Sequence, residues 1–296
     1  KIEATFHEAT YTLTYLVWDE SSKDAVIIDP VLDYEQVGSK THTTAARALL
    51  ARVRELDLRV HYILETHAHA DHISAAQFLK RELDSKIGIG EHIVAVQETF
   101  KPVFGLDEGF VPDGSQFDAL LRDGQVLEAG NLPVKVLHTP GHTPACVTFM
   151  VEDAAFTGDA LFMPDFGTGR CDFPKGSAED LYDSVHGKLY ALPDDTRVFV
   201  GHDYQPGGRE LRYETTIAES KASNKQLTAD TSREQFVGFR TQRDAKLSAP
   251  KLLFPSVQVN IQAGRLPRPT DAGIRLLRVP INLFTPSDDT GDVEGT

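Results

Sequence analysis

The segment from Thr66 to His72 reads Thr-His-Ala-His-Ala-Asp-His, so three histidines and one aspartate fall within six positions. Side chains alternate along an extended chain, so His67 and His69 point the same way and Asp71 continues that face. Imidazole and carboxylate together suit zinc or iron, whereas calcium takes oxygen ligands only. A single histidine is more often a surface or hydrogen-bonded core residue, but this combination predicts a metal site.

Three further ligand-type residues each follow the end of a predicted strand. They are His142 in Thr-Pro-Gly-His-Thr after strand 134–137, Asp159 in Thr-Gly-Asp after strand 154–157, and His202 in Gly-His-Asp after strand 197–200. Catalytic groups are often placed on loops that a rigid scaffold positions. With the loop that follows strand 60–64, four strand ends therefore carry residues able to bind one metal centre.

These motifs lie in a chain whose patterns alternate between strand and helix. Further strands are predicted at 10–18, 25–28 and 147–151, and helices at 44–56, 73–83, 177–192 and 229–246. Ser177 and Asp180 form a variant capping box at the start of the third helix.

The ends of the chain and the missing linkers decide the predicted domain organisation. Residues 250–284 are Pro-rich and predicted irregular, and the tail from about residue 285 is predicted disordered. Because no clear linker is visible, we predict one domain over residues 1–227 with a C-terminal extension, residues 228–296, packed on it. Strands mixed with helices in two halves predict an α/β fold, with sheets covered by helices on the outside.

Composition excludes several classes of function. The 296 residues are 41% hydrophobic and 25% charged, as in a globular protein. A net charge of -14 argues against nucleic-acid and membrane-surface partners, because both are anionic. No apolar run approaches the roughly 20 residues that span a bilayer, and the first residues lack a signal-peptide block. Two cysteines, Cys146 and Cys171, are too few for a disulfide scaffold, so we predict a soluble, cytoplasmic protein.

The motif series resembles that of the metallo-β-lactamase superfamily, over about residues 10–204. The resemblance implies an αββα sandwich with the metal at one edge. Within the superfamily, Gly-Thr-Gly-Arg-Cys-Asp-Phe at 167–173 is similar to the Gly-x-Gly-Arg-x-Asp-Phe signature of the persulfide dioxygenases. Gly-Asp-Ala-Leu at 158–161 and His-Asp-Tyr at 202–204 are similar to the same family. The long C-terminal portion resembles its bacterial branch, while the insertion 163–166 departs from the mitochondrial pattern.

This resemblance implies one Fe(II) per chain, held by His67, His142 and Asp159 and leaving three positions open for oxygen and substrate. The remaining metal-capable residues would orient ligands or waters by hydrogen bonds; they are His69, Asp71, His72 and His202. The implied reaction is the oxygen-dependent oxidation of glutathione persulfide to sulfite and glutathione, in sulfide detoxification. Glutathione is thus part of the substrate. If the chain self-associates, a dimer is the expected form.

The resemblance also implies substrate contacts and leaves rivals open. Arg170 would contact glutathione, since a guanidinium pairs bidentately with a carboxylate, and Tyr204 could donate its hydroxyl to the same ligand. Cys171 is interpreted as structural. The main alternative is a glyoxalase II-like, dinuclear-zinc hydrolase of glutathione thioesters, against which the signature from Arg170 to Phe173 speaks. A lactonase or β-lactamase-type hydrolase and a metal-dependent sensor are broader alternatives.

Overall fold

Two six-stranded sheets form the framework of the protein, in a computed structural model that describes residues 1–283. In chain order, strands β1 to β15 are Ile2–His7, Thr12–Trp18, Asp24–Ile28, Val31–Glu35, Lys40–His42, Arg59–Glu65, Ile73–Ser74, Lys86–Gly90, Ala119–Leu121, Val126–Ala129, Leu132–His138, Val147–Val151, Ala154–Phe156, Arg197–Phe199 and Glu214–Thr216. Helices α1 to α7 are Thr44–Glu55, Ala76–Leu83, Ile93–Val103, Ala178–Tyr182, Ile217–Ser223, Arg233–Asp244 and Leu253–Asn260. A π-helical segment, Asp183–Leu189, continues α4, and a 3-10 turn spans Pro206–Gly208.

The strand order is β1-β2-β3-β6-β8-β9 in the first sheet and β10-β11-β12-β13-β14-β15 in the second; β5-β4-β7 form a small third sheet. Side chains of β2 alternate between two cores. Leu13, Tyr15 and Val17 pack with the second sheet, whereas Leu16 and Trp18 pack with helices α1, α2, α3 and α7. This period of two is that of a strand buried on both faces. The predicted α/β sandwich is therefore confirmed.

The seven predicted strands all occur, with ends that differ by a few residues, and helices 44–56 and 229–246 correspond to α1 and α6. The helix predicted at 73–83 begins only at Ala76, because Ile73–Ser74 pairs with β4. The helix predicted at 177–192 is capped by Ser177, as expected, but changes to π-helical hydrogen bonding at Asp183.

The prediction of irregular structure over 250–284 is wrong in its first part, where α7 forms. Seven of the eight residues of α7 are buried, so no polar face marks it as a helix. The predicted disordered tail lies outside the described residues. The division at residue 227 stays a prediction, although α6 and α7 both bury side chains in the two main cores. Within residues 1–283, every helix is too short or too polar to cross a bilayer.

Candidate metal centre

Four loops meet at one edge of the sandwich, each directly after a strand. The loop after β6 is tied to β12 by the Val147 amide, which donates to the Thr66 carbonyl at 2.9 Å. The loops after β13 and β14 are joined by the Gly201 amide and the Gly158 carbonyl at 3.1 Å. Gly158 has φ +50, and a Cβ there would lie 2.6 Å from the Thr66 hydroxyl oxygen. The close approach of the loops therefore requires glycine at this position.

The structure brings His67, His142 and Asp159 together, with one possible ligand atom from each within 4.8 Å of the others. The Nδ1 atom of His142 donates to the Arg170 carbonyl at 2.7 Å, so its Nε2 carries the free lone pair. His67 Nδ1 lies 3.0 Å from the Thr66 hydroxyl, which likewise leaves Nε2 free. Ring nitrogens oriented in this way by an outer partner are typical of metal ligands.

Unpartnered buried atoms show that this donor set fits a metal ion. His67 Nε2 and Asp159 Oδ1 are buried and have no hydrogen-bond partner within the described part of the chain. Burying such atoms without a partner is unfavourable, whereas a cation among them would satisfy both. Burial, and then the positive charges that His69 and His142 would carry, lower the pKa of His67 well below its usual range. His67 is therefore neutral at pH 7, as a metal ligand must be.

A second donor set lies beside the first and comprises His69, Asp71 and His202, again within 4.8 Å of one another. His202 Nε2 is 3.4 Å from Asp159 Oδ1, so the two sets adjoin. His72 Nδ1 is 2.9 Å from the Asp71 carboxylate, and its Nε2 is buried without a hydrogen-bond partner in residues 1–283. All seven predicted residues thus converge on one centre, and the geometry alone offers donors for one metal or two.

Two buried carboxylates behind the loop were missed by the sequence reasoning. Asp29 accepts hydrogen bonds from the Thr66 amide and hydroxyl at 2.7 and 2.8 Å and lies 3.0 Å from His69 Nε2. Glu65 accepts from the Ser74 hydroxyl and lies 3.5 Å from the same nitrogen. Burial alone would lower the pKa of His69, but these carboxylates and Asp71 together raise it well above its usual range. The available signal was an Asp-Pro pair directly after buried strand β3.

A cavity of about 530 Å³ opens from the centre to the surface. His142, Asp159 and Asp71 line its inner end. Further out it is lined by Phe162, Phe166, Arg170, Tyr204, Arg243 and Lys251, among others. Both predicted substrate contacts therefore border the space that leads to the metal donors. So do three cations from the C-terminal segment that the sequence reasoning did not single out, Arg240, Arg243 and Lys251.

Arg170 is already engaged in the structure. Its guanidinium pairs bidentately with Asp172, both contacts at 2.5 Å, and donates to the Ser248 carbonyl at 2.8 Å. Arg243 and Lys251, in contrast, have no ion-pair partner among residues 1–283. Of the four cations that line the cavity, Arg243 and Lys251 are therefore uncommitted, whereas Arg170 and Arg240 are each paired with a carboxylate.

Tyr204 belongs to an aromatic cluster at the outer end. Its ring lies 4.7 Å from that of Phe166 and 5.6 Å from that of Tyr11, and it stacks at 5.5 Å on His202. The apolar surroundings, and then the negative charges of Asp159 and Asp71, raise the pKa of Tyr204 well above its usual range. Its hydroxyl therefore stays protonated and can act as a donor.

Cys171 is buried, and burial raises the pKa of its thiol above the usual range despite the positive charge of Arg240. Its amide donates to Asp244 of α6 at 2.8 Å. A thiol kept protonated in this way is not an activated nucleophile, which agrees with a structural residue.

A buried histidine and carboxylate centre at the strand ends of a two-sheet α/β sandwich defines a metal-dependent enzyme. The chain belongs to the metallo-β-lactamase superfamily, whose sequence profile matches residues 8–202. All seven donor residues, from His67 to His202, fall within that match. The motifs, the fold and the family therefore agree on a metal cofactor, while the identity of the metal is left open.

Relatives named as a hydrolase or a glyoxylase and relatives named as dioxygenases differ in their sequence identity to this chain. A probable metallo-hydrolase of Burkholderia pseudomallei is 47% identical, over 95% of this chain and 99% of that protein. "Glyoxylase B2" of Dictyostelium discoideum is 46% identical, over 95% of this chain and 97% of that protein. The human mitochondrial persulfide dioxygenase ETHE1 is 34% identical, over 88% of this chain and 87% of that protein. The crystal structure of ETHE1 from Myxococcus xanthus has a TM-score of 0.71 at 34% identity, covering 90% of this chain and all of that one.

Proposed function

We propose that this enzyme is a persulfide dioxygenase that oxidises glutathione persulfide to sulfite and glutathione. Both atoms of O2 go to the terminal sulfur and water cleaves the S–S bond, so one O2 and one water are consumed for each sulfite. The observation that carries the proposal is the position of the 167–173 signature. Thr168, Gly169 and Arg170 of this signature line the same cavity as His142 and Asp159, and the Arg170 carbonyl accepts the hydrogen bond that orients His142.

We assign one Fe(II) per chain to His67, His142 and Asp159. Fe(II) would supply the redox chemistry that activates oxygen, which zinc cannot do. The chain's own part would be to present one imidazole nitrogen each from His67 and His142 and one carboxylate oxygen from Asp159. Hydrogen bonds to Thr66 and Arg170 orient the two imidazoles, and the cavity connects the centre with the surface.

The outer end of the cavity would hold the glutathione part of the substrate. Glutathione carries two carboxylates, and the chain is acidic overall, so recognition depends on local cations. Arg243 and Lys251 supply charges that no carboxylate of residues 1–283 neutralises. The guanidinium of Arg170 can pair with a ligand carboxylate only while it also contacts Asp172. The protonated hydroxyl of Tyr204 would donate to the same ligand. The proposal places the reaction in the cytoplasm, where Cys146 and Cys171 stay reduced.

One observation favours a second candidate, a dinuclear hydrolase of glutathione thioesters. His69, Asp71 and His202 form a donor set next to the first, and His72 Nε2 also has no hydrogen-bond partner in the described structure. His69, Asp71 and His202 would hold a second ion there, and two ions would supply the activated water that hydrolysis needs. The name of the Dictyostelium relative points in the same direction.

The two functions differ in oxygen use, which gives the test. Protein purified without added metal is analysed for iron and zinc, then assayed with glutathione persulfide in an oxygen electrode while sulfite is measured. We expect one iron per chain and one sulfite formed for each O2 consumed. Two zincs per chain, with hydrolysis of S-lactoylglutathione and no oxygen uptake, would refute the proposal and establish the hydrolase.

A further inference from the structure

The C-terminal end of helix α7 is bonded to the loop between β6 and β7, residues 66–72, which we call the metal loop. The side chain of Asn260 makes this contact. Asn260 is buried, with 4% of its surface exposed. Its Nδ2 donates to the His69 carbonyl at 2.9 Å and to the His72 carbonyl at 2.8 Å. Its Oδ1 accepts from the Ser74 amide at 2.9 Å. The side chain thus bonds the loop through two donors and the adjoining strand β7 through one acceptor, all 186 or more residues away in sequence.

These three bonds also settle the orientation of the amide. Turning it by 180° would aim Nδ2 at an N–H group and Oδ1 at two carbonyls, so all three bonds would be lost. The loop itself contains no regular secondary structure between Thr66 and His72. Its buried backbone groups must therefore find partners elsewhere, and Asn260 supplies them on both sides of Asp71.

We infer that Asn260 is a positioning residue of the metal centre, through which the C-terminal segment holds the loop that carries His69, Asp71 and His72. A side chain can face an ion, or orient a ligand of that ion, only as accurately as its backbone is held. With the His69 and His72 carbonyls tied to one amide, the loop between them has a fixed span. The inference depends on the metal site alone and holds for either proposed reaction.

Gln97 on α3 offers a matched control. It is fully buried, and its Nε2 donates to the Gln116 side chain at 2.7 Å and to the Ile261 carbonyl at 2.8 Å. Its Oε1 accepts from the Gly114 amide at 2.9 Å. Gln97 therefore also makes two donor bonds and one acceptor bond. One of its partners, Ile261, is the residue next to Asn260. None of its three partners belongs to the metal loop.

The test compares Asn260→Asp with Gln97→Glu in the full chain. Each change removes two donors, keeps the acceptor and adds one buried carboxylate. Cobalt(II) is the probe, added to metal-free protein in competition with a chelator, with visible absorption to report the ligand environment. We expect Asn260→Asp to weaken cobalt binding by roughly tenfold to a hundredfold and to shift its absorption bands. Gln97→Glu should lower Tm by a similar amount and leave both cobalt readouts within about twofold of the wild-type values.

Asn260→Ala is measured alongside, because it adds no charge and leaves space for water to bond the freed carbonyls. We expect it to weaken cobalt binding in the same range. Unchanged cobalt affinity and spectrum in the folded Asn260 variants would overturn the inference. An equal loss of affinity in Gln97→Glu would also overturn it, since Asn260 would then act only through general stability.

Discussion

The two ends of the cavity are built differently. At the inner end, His67, His142 and Asp159 are buried, and hydrogen bonds from outside the donor set fix the two imidazoles. At the outer end, Arg243 and Lys251 are exposed and bound to no carboxylate of residues 1–283. A rigid inner end suits chemistry that needs a fixed geometry, and an adaptable outer end suits recognition of a flexible tripeptide.

Electrostatics sharpens this difference. The chain carries a net charge of -14, so an anionic substrate approaches a repelling field. At the inner end the acidic side chains lie beside histidines, as Asp159 does beside His202 at 3.4 Å. Uncommitted cations occur where the cavity meets solvent. The comparison therefore predicts that inner-end substitutions abolish metal binding or turnover, and that outer-end substitutions change KM.

The largest expected effect is that of His142→Ala. If the centre holds the proposed single iron, removing one of its three protein ligands should abolish stable iron binding and turnover together, because two donors cannot hold the ion against solvent. His138→Ala is the control: His138 lies on the preceding strand, bonds the Pro144 carbonyl and belongs to neither donor set. Iron content and oxygen uptake are measured on the same preparations. Near-complete iron in His142→Ala would remove His142 from the ligand set.

A smaller effect is expected for His72→Ala and His202→Ala, whose residues we place beside the ligands. Each variant should keep substantial iron, with affinity or activity lowered by roughly 10–100-fold. The structure makes this test decisive, because both side chains lie close enough to Asp71 or Asp159 to serve a second ion. If either variant loses iron as completely as His142→Ala, the single-ion assignment fails and the dinuclear hydrolase becomes the better proposal.

The difference between the inner and outer ends of the cavity also separates the features that could be predicted from the sequence from those that could not. The residues of the inner end could be predicted because they lie in short motifs directly after strands. The strands could be recognised by their residue types and by the alternation of polar and apolar side chains. His142 and Asp159 could be placed in this way because each motif is local. Asp29 was recognisable only as the end of a strand, since its contact with His69 depends on how two strands pair.

The outer end depends on contacts that local patterns do not contain. Helix α7 was missed because it is buried on all sides and carries Pro255, so it shows neither an amphipathic period nor a continuous helical composition. The pairing of Arg170 with Asp172 and Ser248 joins a motif residue to a position 78 residues further on. Arg243 and Lys251 look like ordinary surface cations until the fold places them on the cavity.

Arg170→Ala tests whether Arg170, which lines the cavity and whose carbonyl bonds His142, also contacts the substrate. If the guanidinium contacts a glutathione carboxylate, KM should rise by roughly tenfold to a hundredfold, for a charged hydrogen bond worth about 1.5–3 kcal/mol. Lysine should rescue only partly, because it lacks the bidentate fork. Asp172→Asn is the control, since it keeps the guanidinium and removes its partner. A KM that rises equally in Asp172→Asn would show that the ion pair acts structurally, and an unchanged KM in Arg170→Ala would exclude Arg170 from the substrate site.

The smallest expected effect concerns Arg243 and Lys251. Because both side chains are exposed, each contact with a carboxylate should contribute about 0.2–1 kcal/mol, so Arg243→Ala and Lys251→Ala should each raise KM by up to roughly fivefold. Turnover at saturation should not change, since neither residue reaches the metal donors. The increase in KM should become smaller as salt is added, because the field of an exposed charge decays over about 10 Å at 0.1 M salt.

Lys246→Ala separates a local contact from a change in net charge. Lys246 is exposed, lies three residues beyond Arg243 and does not line the cavity. All three variants remove one positive charge, so long-range repulsion of the substrate would increase similarly in each. A KM change confined to the Arg243 and Lys251 variants would place the substrate carboxylates at the outer end. Equal changes in all three would mean that the exposed cations act only through the overall field, and recognition would then depend on Arg170 and Tyr204.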